Sequence, residues 1–260
     1  MQDDYGNVTL VNVSGIYDEQ PLFIDKLKKG GAGVIDAVSM TGTNGYCDDM
    51  AKEKFREMMK EYPAKGIHFI DGGNYHYLTL LWLSLIEEPF DLIVFDNHSD
   101  MQQPAFGDVL SCGGWIRNLV EDSSFKGKVT VVGVDKDNID KEMKELGVRF
   151  ITKQTILKKR GQQYGLENEL IDKCWTGKRP VYISVDKDVL DEKEYKTNWN
   201  QGIMGVDELF AIIEDTFEMR KVIGMDICGE MDEAVNAEFG SIYNEINQAV
   251  NMRFLKFRIS

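Results

Sequence analysis

The sequence predicts an α/β fold with three layers (α-β-α), in which helices cover both faces of a mostly parallel central sheet. Short runs rich in Val and Ile recur along the chain, and an amphipathic stretch follows nearly every one. Apolar runs of about four to seven residues are typical of strands buried on both faces. Strands that alternate with helices imply βαβ units, whose crossovers are right-handed.

Seven apolar runs are the predicted strands: Val8–Val13, Ile67–Ile70, Leu92–Phe95, Val129–Val134, Val148–Ile151, Val181–Val185 and Val222–Ile227. The predicted helices between and after them are Met50–Glu61, Tyr77–Glu87, Trp115–Glu121, Ile139–Leu146, Leu166–Trp175, Val206–Met219 and Val235–Phe254. Met50–Glu61 is charged with a helical period, whereas Tyr77–Glu87 is largely apolar, which predicts a well-buried helix. No linker or repeat interrupts the pattern, so we expect a single domain over residues 1–260.

Charge and cysteine content exclude several functional classes. The chain has 30 basic and 44 acidic residues, a net charge of −14, which argues against binding to nucleic acid or to anionic membranes. No apolar run approaches the roughly 18 residues of a membrane span, and the polar N-terminus is unlike a signal peptide. The four cysteines lack CxxC spacing, which indicates reduced thiols. We therefore expect a cytoplasmic protein that acts on a small molecule.

Carboxylates and histidines follow four of the predicted strands. The four segments are Asp71–His76, Asp96–Asp100, Asp186–Asp191 and Asp226–Glu230. In open α/β sheets, functional groups gather beyond the carboxyl ends of the strands, so these segments are the candidate site. His68 lies inside an apolar run and is interpreted as a structural histidine.

The spacing within two of these segments predicts a metal site. Because alternate side chains of an extended segment share a face, Asp96, His98 and Asp100 point into one space, as do Asp186 and Asp188. Carboxylates placed so closely stay ionised only when a cation neutralises them. One or two divalent ions are the simplest explanation.

His76 extends this set to two imidazoles and four carboxylates, more than one ion normally needs. Carboxylates that bridge two ions would use all of them. A carboxylate-rich set suits Mn²⁺, and the imidazoles also admit Zn²⁺ or Fe²⁺.

At these residues the sequence resembles the ureohydrolase family of arginases, agmatinases and formimidoylglutamases. The family's Gly-Gly-Asp-His turn is matched by Gly72–His76, and its Asp-x-His-x-Asp motif by Asp96–Asp100. Its Ser-x-Asp-x-Asp-x-x-Asp motif is matched by Ser184–Asp191, and its late Asp-x-x-Glu by Asp226–Glu230. The resemblance implies an arginase-like parallel α/β fold, a binuclear manganese centre and a homo-oligomer, trimer or hexamer.

The resemblance also implies a ligand set for each of two ions. The ligands of one ion would be His76, Asp96, Asp100 and Asp186. Those of the other would be Asp96, His98, Asp186 and Asp188, so that Asp96 and Asp186 would bridge the two ions.

Three departures from the family pattern predict a remodelled substrate site. Asn74 stands near the position of the usual acidic residue, in a first motif that has one extra residue. No histidine follows His98, although the family has a proton-shuttling histidine after its second motif. Glu230 is one residue further from Asp226 than the family's substrate-gripping glutamate. Arginine and agmatine are therefore not carried over as substrates.

The expected function is hydrolysis of a C–N bond in a guanidino or amidino compound. Two divalent ions that share a water would supply a hydroxide for attack on the carbon atom. Asp100 is the first candidate for the proton donor to the leaving amine and Glu230 the second. Asp191, Cys112 and Glu230 are weaker candidates for contact with the substrate, and Asp191 is expected to bond the loop of its own motif rather than to take part in the chemistry. Two alternatives stay open, a mononuclear zinc amide deacetylase and a metal-binding family member without catalysis.

Overall fold

The computed structural model describes residues 4–104, 107–160, 166–231 and 241–259. Its strands, in chain order β1 to β10, are Val8–Asn12, Gly33–Asp36, Tyr46–Cys47, Ile67–Phe69, Asp91–Phe95, Leu110–Ser111, Val129–Val132, Arg149–Ile151, Val181–Asp186 and Val222–Cys228. Eight of them form one sheet in the order β2-β1-β4-β10-β9-β5-β7-β8, and every pairing in it is parallel. β3 and β6 form a separate antiparallel pair.

The helices, α1 to α9, are Pro21–Lys29, Asp49–Met59, Leu78–Leu83, Trp115–Glu121, Lys141–Glu145, Lys153–Lys159, Glu167–Leu170, Val206–Met219 and Ser241–Phe254. A π-helical turn, Ile171–Trp175, continues α7. Local signals account for several helix starts. Pro21 opens α1 at a position where its missing N–H costs nothing, and the Asp48 carboxylate caps α2 by accepting from the Ala51 N–H.

Helices pack on both faces of the sheet, which confirms the three-layer α/β fold. Side chains alternate along each strand, so that in β9 Ile183 and Val185 face one core while Tyr182 faces the other. The first core includes residues of α1, α8 and α9, such as Phe23 and Phe254. The second core lies beneath α2, α3 and α4.

All seven predicted strands are present, with ends that differ by a few residues. No predicted element corresponds to β2, α1, α6 or the two short strands β3 and β6. Only Ile35 of β2 is buried, so this edge strand lacks the apolar run that marks the others. The first part of the predicted helix Val235–Phe254 lies outside the described residues, and the described helix begins at Ser241. Within the part of the chain that is described, no helix combines the length and apolarity needed to cross a bilayer.

Candidate metal centre

The strand order brings the four candidate segments to one place. β4, β10, β9 and β5 are neighbours at the centre of the sheet and run parallel, so their carboxyl ends share one edge. Beyond this edge lie the six predicted ligands, which we call the metal-facing cluster. Its members are His76, Asp96, His98, Asp100, Asp186 and Asp188.

The first group of donor atoms surrounds His76. Its Nδ1 lies 2.9 Å from Asp100 Oδ2, 3.3 Å from Asp96 Oδ2 and 3.6 Å from Asp186 Oδ2. All four side chains are buried. The turn at Gly73–Tyr75 therefore delivers His76 to the site despite the extra residue in the first motif.

The second group of donor atoms surrounds His98. Its Nδ1 lies 2.8 Å from Asp188 Oδ2 and 3.5 Å from Asp96 Oδ1, so Asp96 offers one oxygen to each group. Asp186 differs from the implied arrangement. Its Oδ2 faces His76, while its Oδ1 accepts a 2.9 Å hydrogen bond from the Asp188 backbone N–H. The two oxygens of Asp96 thus lie where bridging would need them, and bridging by Asp96 and by Asp186 both stay predictions.

Two buried atoms of the cluster have no hydrogen-bond partner. They are His76 Nδ1, which lies close to Asp100 without the angle of a hydrogen bond, and Asp96 Oδ2. An unpaired buried polar atom costs about 1–3 kcal/mol, and a cation at this position would remove that cost. The nitrogen and oxygen donors suit Mn²⁺, Fe²⁺ or Zn²⁺. The residues present therefore fit a divalent metal centre.

Electrostatics agrees with this interpretation. Burial, together with the charges of Asp188 and Asp96, raises the pKa of Asp186 to about 7. Burial and the charge of Asp96 likewise raise the pKa of Asp188 to about 6. Burial opposes the charging of His98, but its hydrogen bonds to Asp188 and Asp96 prevail and raise its pKa to about 11. The raised pKa values thus show that the buried carboxylates of the cluster favour a positive charge beside them, either a proton or a cation.

Neighbouring side chains orient two of the predicted ligands. Ser184 Oγ lies 2.9 Å from His76 Nε2 and donates a 2.6 Å hydrogen bond to Asp226 Oδ1. Trp115 Nε1 donates to Asp100 Oδ2 at 2.7 Å. Asp100 has a φ of 48°, a left-handed conformation that is uncommon for a non-glycine residue and typical of functional sites.

Cys228, at the end of β10, also lies in the centre and was missed by the sequence analysis. Its Sγ is 3.2 Å from Asp186 Oδ2, and it forms a donor group with that residue and His76. Burial and the charge of Asp186 raise the pKa of the Cys228 thiol well above its usual range. The available signal was its spacing from Asp226, since alternate residues of a strand share a face.

A cavity of about 170 Å³ opens onto the centre. Trp199 forms part of its wall, with its ring edge-on to His98 at 5.6 Å and its Nε1 donating to Asn74 Oδ1 at 3.0 Å. The side chain of His98 is 31% exposed, so it is the most accessible member of the metal-facing cluster. The described lining residues are Gly45, Gly73, His98, Asp100, Gln102, Ser111, Cys112, Gly113, Asp186, Asp188 and Trp199.

Glu230 lies away from the described cavity. Its carboxylate lies on the opposite face of the turn Asp186–Asp188, where it pairs with Lys187 Nζ and accepts 2.7 Å hydrogen bonds from Gln20 Nε2 and Asn251 Nδ2. We call these four residues the Lys187 cluster. The preceding Gly229 has a φ of 88°, which turns the chain so that Glu230 enters this cluster. Glu230 is fully buried and is absent from the described lining of the cavity, which favours a structural role, and its catalytic and substrate-binding roles stay predictions.

Asp191 bonds its own loop, as expected from the sequence. Its Oδ1 accepts a 3.0 Å hydrogen bond from the Lys193 backbone N–H. It is absent from the described lining of the cavity, whereas Cys112 and Asp100 belong to it. A substrate contact of Asp191 stays a prediction.

The fold and the donor set define a class of protein, namely parallel α/β proteins with an Asp- and His-rich candidate metal site at the carboxyl edge of the sheet. Residues 25–231 match the family model described as the arginase family. An uncharacterized protein from Thermotoga maritima is 30% identical over 227 residues, which cover 87% of this chain and 80% of that protein. The chain belongs to the arginase family.

Solved structures share the fold at low sequence identity. Formimidoylglutamase from Bacillus subtilis superposes with a TM-score of 0.70 at 17% identity, and the match covers 98% of this chain and 87% of that chain. Formiminoglutamase from Trypanosoma cruzi, solved with Mn²⁺, gives a TM-score of 0.67 at 14% identity, covering 98% and 94%. These similarities confirm the arginase-like fold.

Proposed function

We propose that the protein is a metal-dependent hydrolase that cleaves a C–N bond of an amidino or guanidino compound with the help of two divalent ions. The observation that carries this proposal is the position of Asp96, whose two carboxylate oxygens face two different histidines. Two ions would bring a charge of +4, which balances the four carboxylates of the metal-facing cluster. Membership of the arginase family supports the reaction class.

The residues of the two donor groups would hold the ions. When bound, the ions would lower the pKa of water and so provide a nucleophile at neutral pH. Asp186 and Asp188 each accept a backbone N–H, which fixes their carboxylates in place. Asp100 lines the cavity and is held by Trp115, so we assign it to carry a proton to the leaving amine. His98 is the more exposed histidine of the cluster, lies at the cavity and would help to hold the second ion.

The cavity constrains the substrate. Its volume of about 170 Å³ is below the roughly 300–1,000 Å³ of pockets that enclose drug-sized ligands, so it suits one small polar group. None of the described lining residues is Lys or Arg, so a substrate carboxylate would find no lysine or arginine partner inside it. We infer that the group admitted is an uncharged or cationic amidine.

Mn²⁺ is the first candidate metal. The formiminoglutamase of similar fold contains Mn²⁺, and carboxylate-rich sites suit that ion. The two histidines leave Zn²⁺ and Fe²⁺ as compatible ions. By the same family relationship we propose a cytoplasmic homo-oligomer, a trimer or hexamer, which sedimentation at micromolar concentration would test.

The two alternatives differ in their support. A mononuclear zinc deacetylase would need only one donor group, whereas the described residues form a second one around His98, and the family match does not favour it. A metal-binding member without catalysis draws support from the absence of any histidine after His98.

The test is a product screen with the metal-loaded protein. We expect release of urea or ammonia from at least one compound in a panel of linear amidines and guanidines, and none after Asp96→Asn. Arginine and agmatine should react slowly, because loss of a positioned proton shuttle costs about 10²–10⁴ in rate. Acetate release from acylated amines would instead support the deacetylase. Binding of two ions without turnover of any compound would support the non-catalytic member.

A further inference from the structure

Cys228 occupies an unexpected position beside the first donor group. The strand register pairs it with Asp186, and its Sγ lies 3.2 Å from Asp186 Oδ2. The same carboxylate oxygen is 3.6 Å from His76 Nδ1. One donor atom from each of the three residues lies within 4.8 Å of the others, and all three residues are buried. A nitrogen, an oxygen and a sulfur atom therefore converge on one point.

The separations suit a single ion. Zinc binds sulfur at about 2.3 Å and nitrogen or oxygen at about 2.0–2.2 Å, which places neighbouring donors of a tetrahedral site roughly 3.4–3.6 Å apart. The two measured distances agree with this range to within a few tenths of an ångström. An independent observation is that His76 Nδ1, which lies 3.6 Å from the Asp186 oxygen of this group, is buried without a hydrogen-bond partner. The group thus has donor separations that suit a metal ion and a buried nitrogen atom that has no hydrogen-bond partner.

The other three thiols lack this arrangement. Cys47 belongs to the small antiparallel pair, and Cys174 lies in the π-helical turn after α7. Cys112 lines the cavity but belongs to no group of donors. All four cysteines are among the described residues, so Cys228 is the one whose sulfur joins other ligand atoms.

We propose that Cys228 is a thiolate ligand of the ion held by His76 and Asp186, and that its sulfur makes this position prefer Zn²⁺ over Mn²⁺. The inference rests on the proposed metal-dependent function. Sulfur donors favour zinc, whereas manganese prefers carboxylate oxygen. On binding, the S–H bond breaks, the sulfur electron pair forms the bond to the ion, and the proton passes to solvent. The two positions of the centre would then differ in metal preference, with a softer ion at His76 and a harder one at His98.

The first experiment is spectroscopic and needs no catalysis. The protein is loaded with Co²⁺, and the near-ultraviolet absorption that arises from charge transfer between a thiolate and cobalt is recorded. We expect this band in the unmodified protein, its loss in Cys228→Ser and its retention in Cys112→Ser. Absence of the band from the unmodified protein would by itself overturn the proposal, so this outcome does not depend on the folding of a variant.

The second experiment measures metal preference directly. The protein is equilibrated with equal concentrations of Zn²⁺ and Mn²⁺, and the bound metals are counted. Even residues outside the coordination shell are worth about 10–100-fold in metal affinity, so Cys228→Ser should lower the preference for zinc roughly 10-fold or more. Cys112→Ser should leave it unchanged.

The outcomes separate this inference from the proposed function. Binding of two cobalt ions without the charge-transfer band would overturn the role of Cys228 and leave the binuclear centre standing. A band that persists in Cys228→Ser, or that disappears in Cys112→Ser, would also overturn it. Failure of the unmodified protein to bind any divalent ion would overturn the proposed function itself.

Discussion

Two buried polar regions lie on opposite faces of the same turn, and they are built differently. Asp186 and Asp188 point into the metal-facing cluster, while Lys187 between them points into the Lys187 cluster. In the Lys187 cluster the side-chain polar atoms satisfy one another: Lys187 Nζ meets Glu230 and Asn251, and Gln20 meets both of those residues. In the metal-facing cluster two buried atoms have no partner. A network in which every buried polar atom has a partner indicates a structural role. A network with unpartnered buried atoms indicates a site for a ligand.

The largest expected effect follows from removing a carboxylate of the metal-facing cluster. Asp96→Asn should abolish binding of both ions, because Asp96 contributes to both donor groups. Asp188→Asn should cost one ion, since Asp188 belongs to the second group only. Metal analysis after loading and dialysis gives the stoichiometry, and Asp25→Asn on the exposed side of α1 is the matched control. Two ions retained by Asp96→Asn would show that the donor groups are assigned wrongly.

Breaking the Lys187 cluster should destabilise the fold and leave metal binding intact. Glu230→Gln leaves a buried ammonium without its counter-charge, a change that typically costs about 3–5 kcal/mol. Denaturant unfolding of the metal-free protein measures the loss. Metal stoichiometry should stay as in the unmodified protein.

The double variant Lys187→Met/Glu230→Leu sharpens this test, because it removes both charges together. We expect it to recover most of the lost stability, since replacing a buried ion pair by apolar groups is often nearly neutral. A Glu230→Gln protein of normal stability with strongly reduced turnover would return Glu230 to the substrate site and contradict the comparison.

The raised pKa values in the metal-facing cluster predict that the stability of the metal-free protein depends on pH. The pKa of Asp186 is raised from 3.8 to about 7 and that of His98 from 6.5 to about 11, so the folded metal-free protein holds more protons than the unfolded chain across that range. The stability that these groups contribute is fully present below the unfolded pKa values and is lost as pH rises through the folded ones. Added metal should therefore raise the melting temperature more at about pH 8 than at about pH 6. An equal rise at both values would contradict this assignment.

The smallest effect concerns the support of a single ligand. Trp115→Phe keeps the packing of the ring but removes the N–H that donates to Asp100 Oδ2 at 2.7 Å. We expect metal affinity to fall about 10-fold, at the lower end of the range for such supporting residues. Titration with a competing chelator measures it, and Trp82→Phe, on a buried tryptophan stacked on His68, is the control for a general packing defect.

The sequence predicted the parallel sheet and the cluster of ligands for a physical reason. Buried strands of a parallel sheet are visible as apolar runs, and their carboxyl ends share an edge, so Asp96 and Asp186 could be placed together without the strand order. Cys228 could not, because its importance depends on the pairing of β10 with β9. The position of Glu230 could not be predicted for a similar reason, since one extra residue and a left-handed Gly229 decide which face of the turn its side chain takes. β2 was not predicted because this edge strand buries too few side chains to show an apolar run in the sequence.

The Lys187 cluster also has a consequence for biosynthesis. Gln20 and Asn251, which meet around Glu230, are 231 positions apart, and Asn251 follows Lys187 by 64 positions. At about 5–20 residues per second, a ribosome needs roughly 3 to 13 s to add the residues between Lys187 and Asn251. During that interval the ammonium lacks its last acceptor, so the turn that carries Asp186 and Asp188 reaches its final form only after α9 has emerged. A nascent chain stalled before this helix would therefore lack the contact that completes the Lys187 cluster, and the turn that carries Asp186 and Asp188 would be held less firmly in that chain.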